Sequence, residues 1–231
     1  MAHFGDLLHR LTESVATRDP GQPLSARMCA AYRDLAGAGA AALTVDYARA
    51  NRVTLCTTSE VARRLEDLQD VLGEGPGHSA ARSGQIEVCA VPGSSSSRWS
   101  IFVEASQDVV DAATIHAVPM HPEREVLGVI TLYDDRSDHR RLTLGRDQLQ
   151  FLANVVGAAL IGEAGDTASF NSGPWASRAQ VHQATGMVVA QLHISPDDAL
   201  AVLRAHAYGQ QATLSEIAAA VVERRLTFTP H

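Results

Sequence analysis

Hydrophobic positions recur along the chain at two periods, and the places where one period gives way to the other mark its elements. Leu7, Leu8, Leu11 and Val15 fall at helical spacing and predict an amphipathic helix that ends near Pro20-Gly21. A second helix runs from about Pro23 to Leu35 and is closed by the Gly37-Ala38-Gly39 break. Ala41, Leu43 and Val45 alternate with smaller or polar residues, as do Val53 and Leu55, which predicts a hairpin. Beyond Ser59 the period returns to helical: Val61, Leu65, Leu68 and Leu72 share one stripe, with Glu66 and Asp67 expected to face away. The run from Leu72 to Ala80 reads as a glycine-rich turn and a short helix. Ile86, Val88 and Ala90 predict a strand, and Trp99, Phe102 and Val103 a short helix packed on a sheet. Two more strands follow, Ala112 to Met120 and Glu125 to Tyr133. The second is apolar on both faces, so it belongs at a sheet centre. Thr143 is expected to cap a helix carrying Leu149, Leu152, Val156 and Ala159 at close to heptad spacing.

This order predicts an α+β domain over residues 1–163, with a mainly antiparallel sheet flanked by helices. Residues 164–174 are small and polar, a linker composition. Three helices are then expected within 175–228. The first carries Val181, Ala184, Val188 and Leu192. The second opens at Ser195-Pro196-Asp197-Asp198, where a capping hydroxyl, a proline suited to the first turn and two carboxylates at the positive dipole end coincide. The third opens at Thr213-Leu214-Ser215-Glu216, the spacing of a capping box, ahead of an apolar stripe of Leu214, Ile217, Ala218, Val221 and Val222. About fifty residues bury only a modest core.

Composition narrows the chemistry. The 231 residues carry a net charge of −7, and all 19 basic residues are arginine. After Pro174 four arginines balance four acids, so the excess negative charge lies in the first domain. Cys29, Cys56 and Cys89 are widely spaced and show neither a zinc pattern nor a disulfide framework, so they are read as buried small residues in a reducing compartment. No run of the sequence is long and apolar enough to span a membrane, and the first ten residues lack the apolar core of a signal peptide. A cytoplasmic protein with no membrane partner is therefore expected. The loop at 73–77 has no lysine for phosphate, and the ten histidines fit no HExxH spacing or nucleophile elbow. No catalytic residue, metal site or cofactor is assigned, and an enzyme is not expected.

Two resemblances add to this reading. Gln183-Ala184-Thr185-Gly186-Met187-Val188, Asp198-Ala199-Leu200 with Leu203-Arg204-Ala205-His206-Ala207, and Leu214-Ser215-Glu216-Ile217-Ala218 with Val221-Val222 resemble the ANTAR domain. That family comprises three-helix RNA-binding modules of transcription antitermination regulators. The Leu72 to Pro76 run, the Leu127-Gly128-Val129-Ile130 strand and the element order of residues 1–163 resemble a GAF domain, a small-molecule sensor or dimerisation module. The resemblances imply a bacterial regulator, expected as a homodimer, whose GAF-like domain senses a small molecule or partner and controls binding of an RNA hairpin. Arg178, Gln183, Thr185, Arg204 and His206 are the expected RNA contacts, with His182 and His193 also on the helical unit. Many ANTAR domains carry lysine where Thr185 stands. Gly77 replaces a cysteine common in related GAF sequences, and no ligand residue is assigned. A DNA-binding regulator, and an interaction or ligand-binding protein without nucleic acid, are the alternatives. The outward set Ser215, Ala219, Ala220 and Glu223 is poor for reading base edges of DNA.

Overall fold

The computed structural model describes residues 4–46, 52–93, 98–121, 125–135, 142–163 and 174–229; the side chains of Asp46, Asp135, Glu163 and residues 174–178 lie outside that description. Most of the expected linker, 164–173, also lies outside it. The chain divides into two compact units, residues 1–66 with 74–166, and residues 67–73 with 167–231.

The first unit is built on five strands: β1 (Ala40–Asp46), β2 (Arg52–Thr57), β3 (Glu87–Val91), β4 (Ala113–Met120) and β5 (Gly128–Asp135). They lie in the order β2-β1-β5-β4-β3 with every pair antiparallel. The strand with apolar side chains on both faces, β5, occupies the centre as its pattern predicts, with Val129, Ile130, Thr131, Leu132 and Tyr133 all buried. Gly128 is needed at its start, because a Cβ there would fall 2.1 Å from the Thr44 carbonyl oxygen.

Helices α1 (Phe4–Ala16), α2 (Leu24–Ala36) and α6 (Arg146–Glu163) pack against one another, and the buried Tyr32 hydroxyl of α2 donates to the Leu149 carbonyl of α6 at 2.9 Å. They lie on the face that carries Leu43, since Cys56, paired with Leu43, donates its thiol hydrogen to the Ser25 carbonyl of α2. The first seven residues of α3 (Glu60–Leu72), with α4 (Pro76–Ser83) and α5 (Ser100–Ser106), account for the rest, and residues 67–72 of α3 fall in the second unit. On the opposite face of the sheet, Ala80 of α4 packs against Ala117 and Val129. Trp99, before α5, is buried and donates its indole N–H to the Ser79 hydroxyl at 2.9 Å.

Two details differ from the sequence reading. Thr143 does not cap α6, which begins at Arg146; its hydroxyl and amide instead donate to the Leu35 and Ala36 carbonyls at 2.8 and 2.9 Å, completing the end of α2. Glu66 does not face away but is buried at 1% exposure, while Val61 is exposed. Within residues 60–66 the buried side chains of α3 are Ala62, Leu65 and Glu66, and Glu66 meets Arg52 and Tyr133.

The second unit holds the three expected helices, α7 (Pro174–Leu192), α8 (Pro196–Gly209) and α9 (Leu214–Val222). Val181, Ala184, Val188, Ala199, Leu200, Leu203, Ala207, Leu214, Ile217, Ala218 and Val221 form its buried core. Alanines at the crossings let the axes approach. Both expected helix starts are present. Ser195 accepts from the Asp198 amide at 3.2 Å. Thr213 accepts from the Glu216 amide at 3.1 Å, while the Glu216 carboxylate accepts from the Thr213 amide at 2.8 Å.

Candidate nucleic-acid interface and sensor interior

The outward surface of the helical unit follows from the same periodicity that buries its core. On α7 it includes His182, Gln183, Gly186 and Ala190; on α8, Asp197, Asp198, Ala201, Ala205 and Tyr208; on α9, Ser215 and Glu216. Tyr208 is 54% exposed. Arg224 and Arg225 follow α9, both exposed, with Arg225 paired to Glu223 at 2.6 Å.

The five expected contacts differ in availability. Gln183 is exposed on α7. Thr185 is half-buried and donates its hydroxyl hydrogen to the Val181 carbonyl at 2.8 Å, a bond within its own helix. Arg204 is half-buried, and its Nε donates at 3.0 Å to the carbonyl of Asp70, a residue of the same unit. His206 is half-buried, 2.6 Å from the Gln210 amide nitrogen, with its ring edge-on to Phe228 at 5.5 Å. The Arg178 side chain lies outside the described residues.

The sequence reading placed the end of α2 at Gly37 but did not anticipate how the last three helices end. The helices α2, α3 and α4 close on glycine in the left-handed conformation, at Gly37, Gly73 and Gly84. Helices α7, α8 and α9 close in the same way on His193 (φ 55°), Gln211 (φ 51°) and Arg224 (φ 59°). The His193 amide donates to the Val189 carbonyl. Gln211 and Ala212 donate to Tyr208 and Ala207, and Arg224 and Arg225 to Val221 and Ala220, the two-bond closure in which glycine is the usual residue.

The first unit has a polar interior of its own. Thr44, Thr54, Thr131 and Tyr133 rise from one sheet face, since Thr44 pairs with both Thr54 and Val129 and side chains alternate along a strand. Glu66 descends from α3 onto this face, ion-paired with buried Arg52 and accepting from the Tyr133 hydroxyl at 2.5 Å. Burial, and then the Glu66 charge, push the Tyr133 phenol well above its ordinary range. The hydroxyl oxygens of Thr44 and Thr54 are buried without a hydrogen-bond partner among the described residues. The sequence signal for this cluster was an acid at a buried helical position opposite an arginine that opens a strand, and neither is visible without the register. A separate groove of about 370 Å³ is lined by Arg10, Glu13, Ser14, Thr17, Asp34 and Leu35, but its carboxylate Asp34 is already held by Arg18 and Arg33. Among the described residues no group of His, Cys, Asp and Glu could hold a metal ion, and no helix is long and apolar enough to cross a membrane.

Comparison with known proteins gives two results for these units. The family model for the ANTAR domain matches residues 175–222. Among solved structures, the chain is similar to the nlh2 GAF domain of A. aeolicus in an inactive state (11% identity, TM-score 0.43, covering 71% of this chain and 97% of that one). It is also similar to a domain assigned to a two-component sensor histidine kinase protein of Sinorhizobium meliloti (13% identity, TM-score 0.41, covering 62% and 92%). No curated protein sequence matches the chain significantly. An α+β unit with a five-stranded antiparallel sheet thus precedes a three-helix unit, α7, α8 and α9, that the ANTAR domain model matches over residues 175–222.

Proposed function

We propose that the protein is a cytoplasmic, homodimeric regulator of transcription antitermination that binds RNA through its ANTAR domain under control of its GAF-like unit. The observation that carries this reading is the ANTAR match over 175–222, on three helices, two of them with side-chain caps, that share a buried apolar core. The polar set that remains outside suits a folded transcript, whose unpaired loop bases and backbone can be met by a few side chains, better than the major groove of a duplex. With the formal charges after Pro174 balanced, phosphate attraction is weak, and a dimer would double the arginines presented. The GAF-like unit is assigned the sensing role, and the buried Thr44 and Thr54 hydroxyls, without a hydrogen-bond partner among the described residues, favour a small polar ligand on the sheet face that also carries the Arg52–Glu66 pair.

The test is a salt-titrated binding measurement with the full chain, using double-hairpin RNAs with randomised loops and a matched DNA duplex. RNA binding that falls with salt and exceeds duplex binding is expected. Preference for the duplex overturns the RNA assignment in favour of a DNA regulator. No binding to either in the monomer or the dimer would leave an interaction or ligand-binding protein.

A further inference from the structure

We infer that the three residues closing the ANTAR helices, His193, Gln211 and Arg224, are RNA contacts of this protein; this rests on the RNA-binding reading above. Side chains at left-handed backbone angles strain the chain, and glycine would relieve that strain. The chain uses glycine for this purpose after α2, α3 and α4. After α7, α8 and α9 it uses an imidazole, a carboxamide and a guanidinium instead, three groups suited to phosphate oxygens and base edges. All three are exposed, and none of their side chains has a hydrogen-bond partner among the described residues, so no side-chain hydrogen bond offsets the strain. Persistent strain of this kind points toward function.

Their placement agrees. The amide of Phe228 donates to the Gln191 side chain at 2.9 Å and its ring meets His206. Gln191 lies two residues before His193, His206 five before Gln211, and Phe228 four after Arg224. Phe228 thereby links the last turns of α7 and α8, the helices that His193 and Gln211 close. Tyr208, 54% exposed, supplies the carbonyl that the Gln211 amide bonds and offers an exposed aromatic ring three residues before that closure for an unstacked loop base.

The experiment uses the full chain carrying His193→Gly, Gln211→Gly and Arg224→Gly, singly and together, and the double-hairpin RNA pool enriched on the unaltered protein. Melting temperature and affinity are both read. The expected result is a melting temperature equal to or above that of the parent, with RNA affinity reduced at least tenfold in the triple variant. Thr12→Ala, at an exposed position on α1 of the first unit, is expected to change affinity less than twofold. Unchanged affinity in the triple variant, with the parent binding well, overturns the inference and leaves the RNA reading standing. Failure of the parent to enrich any RNA overturns both. If the triple variant unfolds, the singles are read in its place, and Arg224→Lys must restore most of what Arg224→Gly loses.

Discussion

The Tyr133 hydroxyl donates to the Glu66 carboxylate at 2.5 Å, joining the central strand to a helix 67 positions earlier in the sequence. Arg52 completes the group, and both charged side chains are almost wholly buried. Removing one member of such a pair strands the other charge in the interior. Glu66→Leu is expected to lower stability by about 3–5 kcal/mol, and Tyr133→Phe by about 1.5–3 kcal/mol. The double replacement Arg52→Met with Glu66→Leu should cost less than Glu66→Leu alone. Denaturant titration of the three variants checks this, and a double variant that is the least stable would contradict it.

Gly128 marks where β5 passes β1 too closely for any side chain. An added Cβ would meet the Thr44 carbonyl oxygen at 2.1 Å and the Val45 Cα at 2.7 Å, both backbone atoms that cannot turn aside. Gly128→Ala is expected to destabilise the first unit by about 3 kcal/mol or more, at or above the upper end for overpacking. The readout is the unfolding midpoint, with Gly145→Ala as the comparison, where the nearest atom is a side-chain oxygen at 3.8 Å.

The capping box of α9 makes a sharper claim than a single cap. Thr213→Ala should cost about 1 kcal/mol. Because Thr213 and Glu216 serve one another's amides, adding Glu216→Ala should bring less than the sum of the two single effects. A thermal-melt cycle on the four proteins measures the coupling, and strict additivity would mean that the box contributes nothing as a unit.

His116 on β4 is partly buried, and burial lowers its pKa below the ordinary 6.5. The neutral ring is favoured in the folded state. Above about pH 6.5 neither folded nor unfolded chain binds the proton, and the residue does not affect the pH dependence. Below that pH the unfolded chain takes up a proton that the folded chain resists, so stability falls as pH drops toward the lower folded value. His116→Gln should flatten the melting-temperature profile between pH 6.5 and 5. An equal slope in parent and variant would assign the acid sensitivity to other groups.

Periodicity alone made most of the architecture legible. Leu7, Leu11 and Val15 on α1, the doubly apolar β5 and the caps at Ser195 and Thr213 are local signals, because a helix face, a buried strand and a capping bond are set by residues within a few positions of one another. The ANTAR resemblance was visible for the same reason, since its motif is a string of local helix faces.

What periodicity could not supply depended on which elements meet. Thr143 has the residue type of a cap but bonds the end of α2, more than a hundred positions earlier, because the fold brings that carbonyl within reach. Glu66 looked solvent-facing because an acid in a helix is normally hydrated; only the register that sets Arg52 and Tyr133 beneath it makes its burial favourable. Likewise, which arginine, histidine or glutamine of the C-terminal helices stands free was decided by the backbone turns at their ends and by the neighbours that occupy Thr185, Arg204 and His206. Composition named the groups available for recognition, and tertiary packing determined which of them are left to do it.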